Sequence, residues 1–181
     1  MTDYDTFIVF GAVYDSQELA KMDYEAVKSL YYDWQLIDTF DAAIVAKHDD
    51  GKVKIVKKHE QPTRQGGWRG AGIGLATGAV IALFPAAAIG SGILAATTGG
   101  GATIGAIAGH VSKGMNRGDL KELGEHLDAG QCGLVVVAAV DLSSKVNEAL
   151  KHASKVQEKD LKAADAELDA DVEDAKSDSD G

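Results

Sequence analysis

A single cysteine, Cys132, excludes an internal disulfide in this chain, and a lone thiol fits a reducing compartment. There are only two prolines, Pro62 and Pro85, and aromatic residues make up 6% of the chain. A core built from it is therefore mostly aliphatic, and the 45% apolar content is enough for a real one. Positive charge is also scarce, with 18 Lys and Arg against 28 Asp and Glu and a net charge of −10. Nucleic acid is thereby excluded as the main partner, because phosphate contacts need clustered cations. Much of the acidity is local, since residues 160–181 hold nine acids and two lysines. The opening Met1-Thr2-Asp3-Tyr4-Asp5 lacks the basic-then-apolar pattern of a secretory leader.

The most consequential absence is charge of either sign between Gly70 and Ser112. These 43 residues contain no Asp, Glu, Lys or Arg. The surrounding span from Gly66 to Gly118 holds 15 of the 21 glycines. Gly70, Gly74 and Gly78 recur every fourth residue, as do Gly101, Gly105 and Gly109. That spacing places each set on one helix face, where missing side chains let another helix approach closely. The run is about twice the 20 apolar residues that one membrane crossing requires. A turn at Gly90-Ser91-Gly92 would divide it into two arms, the first kinked at Pro85. Trp68, Arg69, Lys113 and Arg117 flank the run. Basic residues at both ends favour a hairpin entering from, and returning to, the cytoplasmic side. Against insertion stand the sparse leucines and Thr97-Thr98-Gly99-Gly100-Gly101, a poor helix interior. The alternative is that the same hairpin is buried inside a soluble oligomer.

The sequence outside this run reads as a compact α+β domain. Residues 6–14 are apolar on both faces and predict a central strand. Asp15 with Glu18 resembles a capping box, followed by a helix to about Trp34 whose stripe is Leu19, Met22, Ala26, Val27, Leu30 and Tyr31. Strands are expected over 38–47 and 52–59, joined at Asp49-Asp50-Gly51, a tight-hairpin signal. The second of these alternates Val53 and Ile55 with Lys52, Lys54 and Lys58. Asp119, with Glu122 three residues on, predicts the start of a helix with Leu120, Leu123 and Leu127 inward. Gly133–Val140 is a fourth strand, apolar on both faces. This β-α-β-β-α-β order predicts a ferredoxin-like sheet over 5–62 and 119–141, with two helices on one face. The glycine-rich hairpin 66–118 is inserted in it. A thin apolar seam from Val146 to Val172 predicts one long acidic helix over 142–176, and 177–181 reads as a disordered tail. That helix, or a second subunit, is expected to cover the open sheet face.

No catalytic constellation stands out. Gly70-Ala71-Gly72-Ile73-Gly74 has Thr77 where a dinucleotide loop needs Gly or Ala, and no Gly-Lys-Ser/Thr follows. His48, His59, His110, His126 and His152 form no metal-ligand pair, and Cys132 has no neighbouring ligand. His48 and His59, which flank the hairpin, read as surface histidines, His110 as a satisfied helix-end histidine at the close of the uncharged run, and Cys132 as a small core residue. No cofactor or metal is expected.

Several stretches together resemble the bacterial DUF1269 proteins: Asp41-Ala42-Ala43-Ile44-Val45 with Gly51-Lys52-Val53, Gly66-Gly67-Trp68-Arg69-Gly70, Leu83-Phe84-Pro85, and Asp119-Leu120-Lys121-Glu122-Leu123-Gly124 through Leu127-Asp128-Ala129-Gly130. The resemblance covers about residues 5–142. It implies membrane association and this domain layout, and it supplies no catalytic residue. The expectation is a non-enzymatic protein at the cytoplasmic face of a bacterial inner membrane. Its partners are the lipid bilayer, other copies of itself and a protein bound by the C-terminal helix. The alternatives are a soluble homo-oligomeric scaffold, and a small-ligand sensor or enzyme built on the sheet.

Overall fold

A computed structural model describes residues 6–36, 40–59, 75–84, 101–128, 132–139 and 141–162, with the isolated residues 170, 174 and 177 helical beyond them. The elements are β1 (Thr6–Tyr14), α1 (Gln17–Asp33), β2 (Phe40–Lys47), β3 (Val53–His59), α2 (Leu75–Leu83), α3 (Gly101–Gly114), α4 (Arg117–Asp128), β4 (Cys132–Ala138), α5 (Ser143–Ala149) and β5 (Lys155–Lys162). The five strands form one antiparallel sheet in the order β3-β2-β4-β1-β5.

This α+β fold departs from the ferredoxin-like arrangement in three respects. The first is the hairpin, where β2 rather than β3 joins the sheet centre by pairing with β4. In a ferredoxin-like sheet the second hairpin strand takes the inner place. Composition explains the reversal. Phe40 to Ala46 are buried without exception, whereas β3 carries Lys54, Lys57 and Lys58, which favour an edge. Val56 is the extra residue of a bulge opposite Ile44 and Val45, a further device against edge-to-edge pairing. The turn forms as expected, with Gly51 at φ 77° and the His48 amide bonded to the Lys52 carbonyl at 2.8 Å.

Second, helices lie on both faces of the sheet. On one face α1 and α5 cover Phe10, Ala12, Tyr14, Phe40, Ile44, Leu134 and Val136. On the other, α2, α3 and α4 cover Phe7, Val9, Ala43, Val45, Val135 and Val137. The uncovered face is therefore closed by the chain's own glycine-rich region, not by a C-terminal helix or a second subunit. Seven of the nine α2 residues are buried, from Leu75 to Val80 and at Leu83. A helix apolar all round is stable only when protein or lipid surrounds it, and here the sheet, α3 and α4 surround it. Asp41, itself buried in β2, accepts the Leu75 amide at 2.9 Å and so holds the first turn of α2 on the sheet.

Third, the expected long helix over 142–176 is not formed within 142–162. Only α5 is helical there, and β5 follows it, antiparallel to β1. Val156 and Leu161 fit a helical seam and a two-faced strand equally well. The free edge of β1 decides between them, because a strand buried on both faces cannot leave its backbone groups unpaired. Ser154 starts the docking, its amide and hydroxyl both donating to the Val13 carbonyl at 2.8 and 3.0 Å.

Two helix starts and one stripe also differ from expectation. Ser16, not Asp15, caps α1, accepting the Leu19 amide at 3.4 Å. Helix α4 begins at Arg117, ahead of Asp119, with Asn116 accepting the Gly118 amide at 2.7 Å. The inward face of α1 is Ala20, Asp23, Tyr24, Val27 and Tyr31, which leaves Met22 exposed.

Glycine sets how closely the second layer approaches. A Cβ on Gly124 of α4 would lie 2.5 Å from the Leu83 carbonyl oxygen, and one on Gly11 of β1 would run into Leu123. Gly109 is different, since a Cβ there meets nothing within 4 Å. Gly124→Ala should therefore destabilise the protein by about 1–3 kcal/mol, because a backbone atom must give way. Gly109→Ala, in an open helix interior, should stabilise it by about 0.5–1 kcal/mol. Urea unfolding of the two variants beside the parent measures both signs.

Candidate functional site

The sequence placed function in the glycine rows and their flanks. Gly78 is buried in α2, and Gly101, Gly105 and Gly109 lie along α3 at four-residue spacing. Gly109 is half-exposed with open space beside it. Lys113 and Arg117 are exposed, near the end of α3 and at the start of α4. Gly70, Gly74, Trp68, Arg69, Pro85, Gly90 and Gly92 lie outside the described residues. Among the described residues, no helix is long and apolar enough to cross a membrane.

Two polar clusters escaped the sequence reading. The first centres on Asp23 of α1, only 1% exposed. Its carboxylate accepts the Tyr14 hydroxyl at 3.0 Å and the His152 amide at 2.9 Å. It also bonds the His152 ring at Nδ1, 2.6 Å away. These contacts join β1, α1 and the link from α5 to β5. Burial, reinforced by the Asp23 charge, pushes the Tyr14 hydroxyl far above its ordinary range, so it stays a donor. Cys132, the register partner of Tyr14, is buried and its thiol is pushed up to about 11, chiefly by desolvation. At neutral pH it is a protonated core residue, not a nucleophile. The cluster thus has the outline of a His–Asp dyad, but its geometry is that of a buried acid satisfied by three donors. The signal for it was present: Asp23 falls within the stripe Ala20, Tyr24, Val27 and Tyr31, where an acid needs partners.

The second cluster lines a groove of about 390 Å³ between α4 and β5, bounded by Val13, Glu122, Glu125, His126, Lys155 and Gln157. Glu122, Glu125 and His126 share one face of α4 at i, i+3 and i+4. Glu122 accepts Gln157 Nε2 at 3.3 Å and Lys159 Nζ at 2.9 Å. Lys159 also pairs with Asp119 at 3.3 Å. His126 is only 9% exposed. Burial first, then the Lys155 ammonium, holds its pKa below the ordinary histidine range. Of the other histidines, His110 is buried in α3 and His59 stacks on Phe40 at 4.7 Å. Among the described residues, no three His, Cys, Asp or Glu are placed to hold a metal ion.

A family model described as "Protein of unknown function (DUF1269)" matches residues 67–172. No curated protein and no solved structure matches the chain.

Two measurements check the Asp23 cluster. Asp23→Ala removes three hydrogen bonds at one charged acceptor and should cost about 2–4 kcal/mol, read by denaturant unfolding. Tyr14→Phe should cost less, about 1–2 kcal/mol. Cys132 should react with an aromatic disulfide at pH 8 only as fast as the chain unfolds. Its folded pKa is raised, so its contribution to stability is complete below the unfolded value, about 8.5, and is lost as pH climbs towards 11.

Proposed function

We propose that this chain, which belongs to the DUF1269 family, is a non-enzymatic self-associating protein whose copies join through the glycine row of α3. The observation that carries this reading is the open space at Gly109. Other glycines serve the fold by close approach to elements of the same chain, as Gly124 does to Leu83. Gly109 meets no such neighbour. With Gly105 and Gly101 it continues a row of missing side chains along one helix face. Such a face suits a second helix at short distance, because backbones approach most closely where Cβ atoms are absent. The partner in this reading is another copy of the chain, and the protein acts as a scaffold.

A second reading keeps the bilayer as partner, with the protein at the cytoplasmic face of a bacterial membrane. It is favoured by the uncharged run from Gly70 to Ser112, of which α2 and most of α3 are only a part. In that case the residues outside α2 and α3 meet lipid while α2 stays on the sheet. Deleting 66–118 cannot separate the two readings, because it removes the layer that buries Val135 and Val137.

Gly109→Leu is the discriminating variant. A Cβ at Gly109 meets nothing within 4 Å, so far-ultraviolet circular dichroism and the unfolding midpoint should change little. Light scattering after size exclusion should show the parent as a multimer and the variant as a single chain. A parent that is already monomeric, or a variant with unchanged mass, overturns the α3 interface. Flotation of the monomeric variant with anionic liposomes would support the second reading.

A further inference from the structure

We propose that the acidic segment 163–181 folds back along the outward side of α3 and so caps the face through which copies join. The fold-back stands on its own, and the capping rests on the self-association reading.

Charge selects the surface. Residues 163–181 carry eight acids and one lysine, and like charges brought together oppose docking. Helix α1 exposes Glu18 and Glu25, α4 exposes Glu122 and Glu125, and α5 exposes Glu148. The sequence of α3 contains no acid. Its outward side is Gly109, Ser112 and Lys113, at i, i+3 and i+4, while Ala108, His110 and Val111 are buried. Lys113 ends this side, and Arg117 follows at the start of α4, both exposed. Among the described residues, no carboxylate pairs with either. The first acids of α4, Asp119 and Glu122, are already held by Lys159.

The path of the chain selects the same place. Strand β5 ends at Lys162, and a Cβ on Gly114 would collide with the Lys162 carbonyl oxygen. The acidic segment therefore leaves the sheet against the last turn of α3, beside Lys113. Helix α3 is about 21 Å long, and the segment reaches about 28 Å at helical rise. Running back from that end, it is antiparallel to α3 and brings its later acids towards the positive end of the α3 dipole. Ala170, Asp174 and Ser177 are helical, and five alanines keep the segment slim. A slim helix suits a side on which Gly109 meets nothing within 4 Å. A second copy competes for the same space.

The test uses the full chain, labelled with ¹⁵N and carrying a nitroxide on Ser177→Cys, while the buried Cys132 stays unlabelled. It is run dilute enough for the chain to be single. At about 0.01 M salt the amide signals of Gly109, Ser112 and Lys113 should broaden, and about 1 M salt should restore them. Lys113→Glu with Arg117→Glu should abolish the broadening, and Lys145→Glu, on α5 across the sheet, should leave it. Amide spectra elsewhere confirm that each variant is folded. Sharp α3 signals overturn the fold-back, and so does broadening that survives the double charge reversal. Broadening seen only when the nitroxide is on a separate, ¹⁴N chain overturns it too, because the segment then lies on a second copy. For the cap, light scattering follows the full chain with Asp165→Asn, Glu167→Gln, Asp169→Asn and Asp171→Asn. Multimers should form at about tenfold lower concentration than in the parent, and an unchanged concentration overturns the cap. Broadening in a chain that stays single at every concentration supports the fold-back and fails the self-association reading alone.

Discussion

The structure depends on three adjacent strands that tolerate no water on either face. In β2, β4 and β1 nearly every side chain is buried, whichever way it points. Antiparallel sheets commonly leave one face wet, and these cannot. Two covering layers are therefore obligatory. The first comes from α1 and α5, which are amphipathic and ordinary. The second must be apolar and thin, and the glycine-rich region supplies it. Fully burying a Leu or Val side chain contributes about 1.5–3 kcal/mol. Leu75 and Val80 are completely buried, so α2 is a large part of what makes this sheet stable.

That constraint gives glycine and charge in this region a different meaning. Absence of charge over Leu75–Leu83 is what a helix closed in by sheet and helices needs, as much as what a lipid-facing helix needs. Asp41 makes the difference visible. An acid buried within β2 would be costly alone, yet at the first turn of α2 it meets a free amide and the positive end of the helix dipole. One residue thus fixes the register of the covering layer on the sheet. The close approaches at Gly11, Gly124 and Gly133 then bring α4 and α2 down onto it.

What could be read from the sequence follows the same division. The strands β1 and β4, the hairpin with Gly51 and the helical character of α1 were legible because each carries a local pattern of period or turn. The family resemblance was legible in the blocks around Gly66 and Asp119, and the family match bears it out. The inner place of β2 was legible in principle, since Phe40–Ala46 has no exposed phase while β3 has its lysines. Helix α5 and strand β5 were not, because Val156 and Leu161 satisfy either period. Only the unpaired edge of β1, a tertiary fact, selects the strand. The polar clusters were hidden for a related reason. Asp23 and His152 are separated by 129 positions, and His126 and Gln157 come to line one groove only once β5 has docked.

Strand β5 is consequently the element on which the groove rests. Its links to α4, Lys159 with Asp119 and Glu122, are exposed ion pairs, and such pairs contribute little each. Its secure attachments lie elsewhere: the backbone ladder to β1, the fully buried Leu161, and the Asp23–His152 contact at its entry. Two of these act from opposite faces of the sheet, Leu161 among the α2–α4 layer and His152 against α1. A groove wall held in this way keeps Gln157 on the same groove as His126. The buried acid on one face therefore helps to position the groove wall on the other, through a strand that neither the helical seam nor the acidic composition of the C-terminal region disclosed.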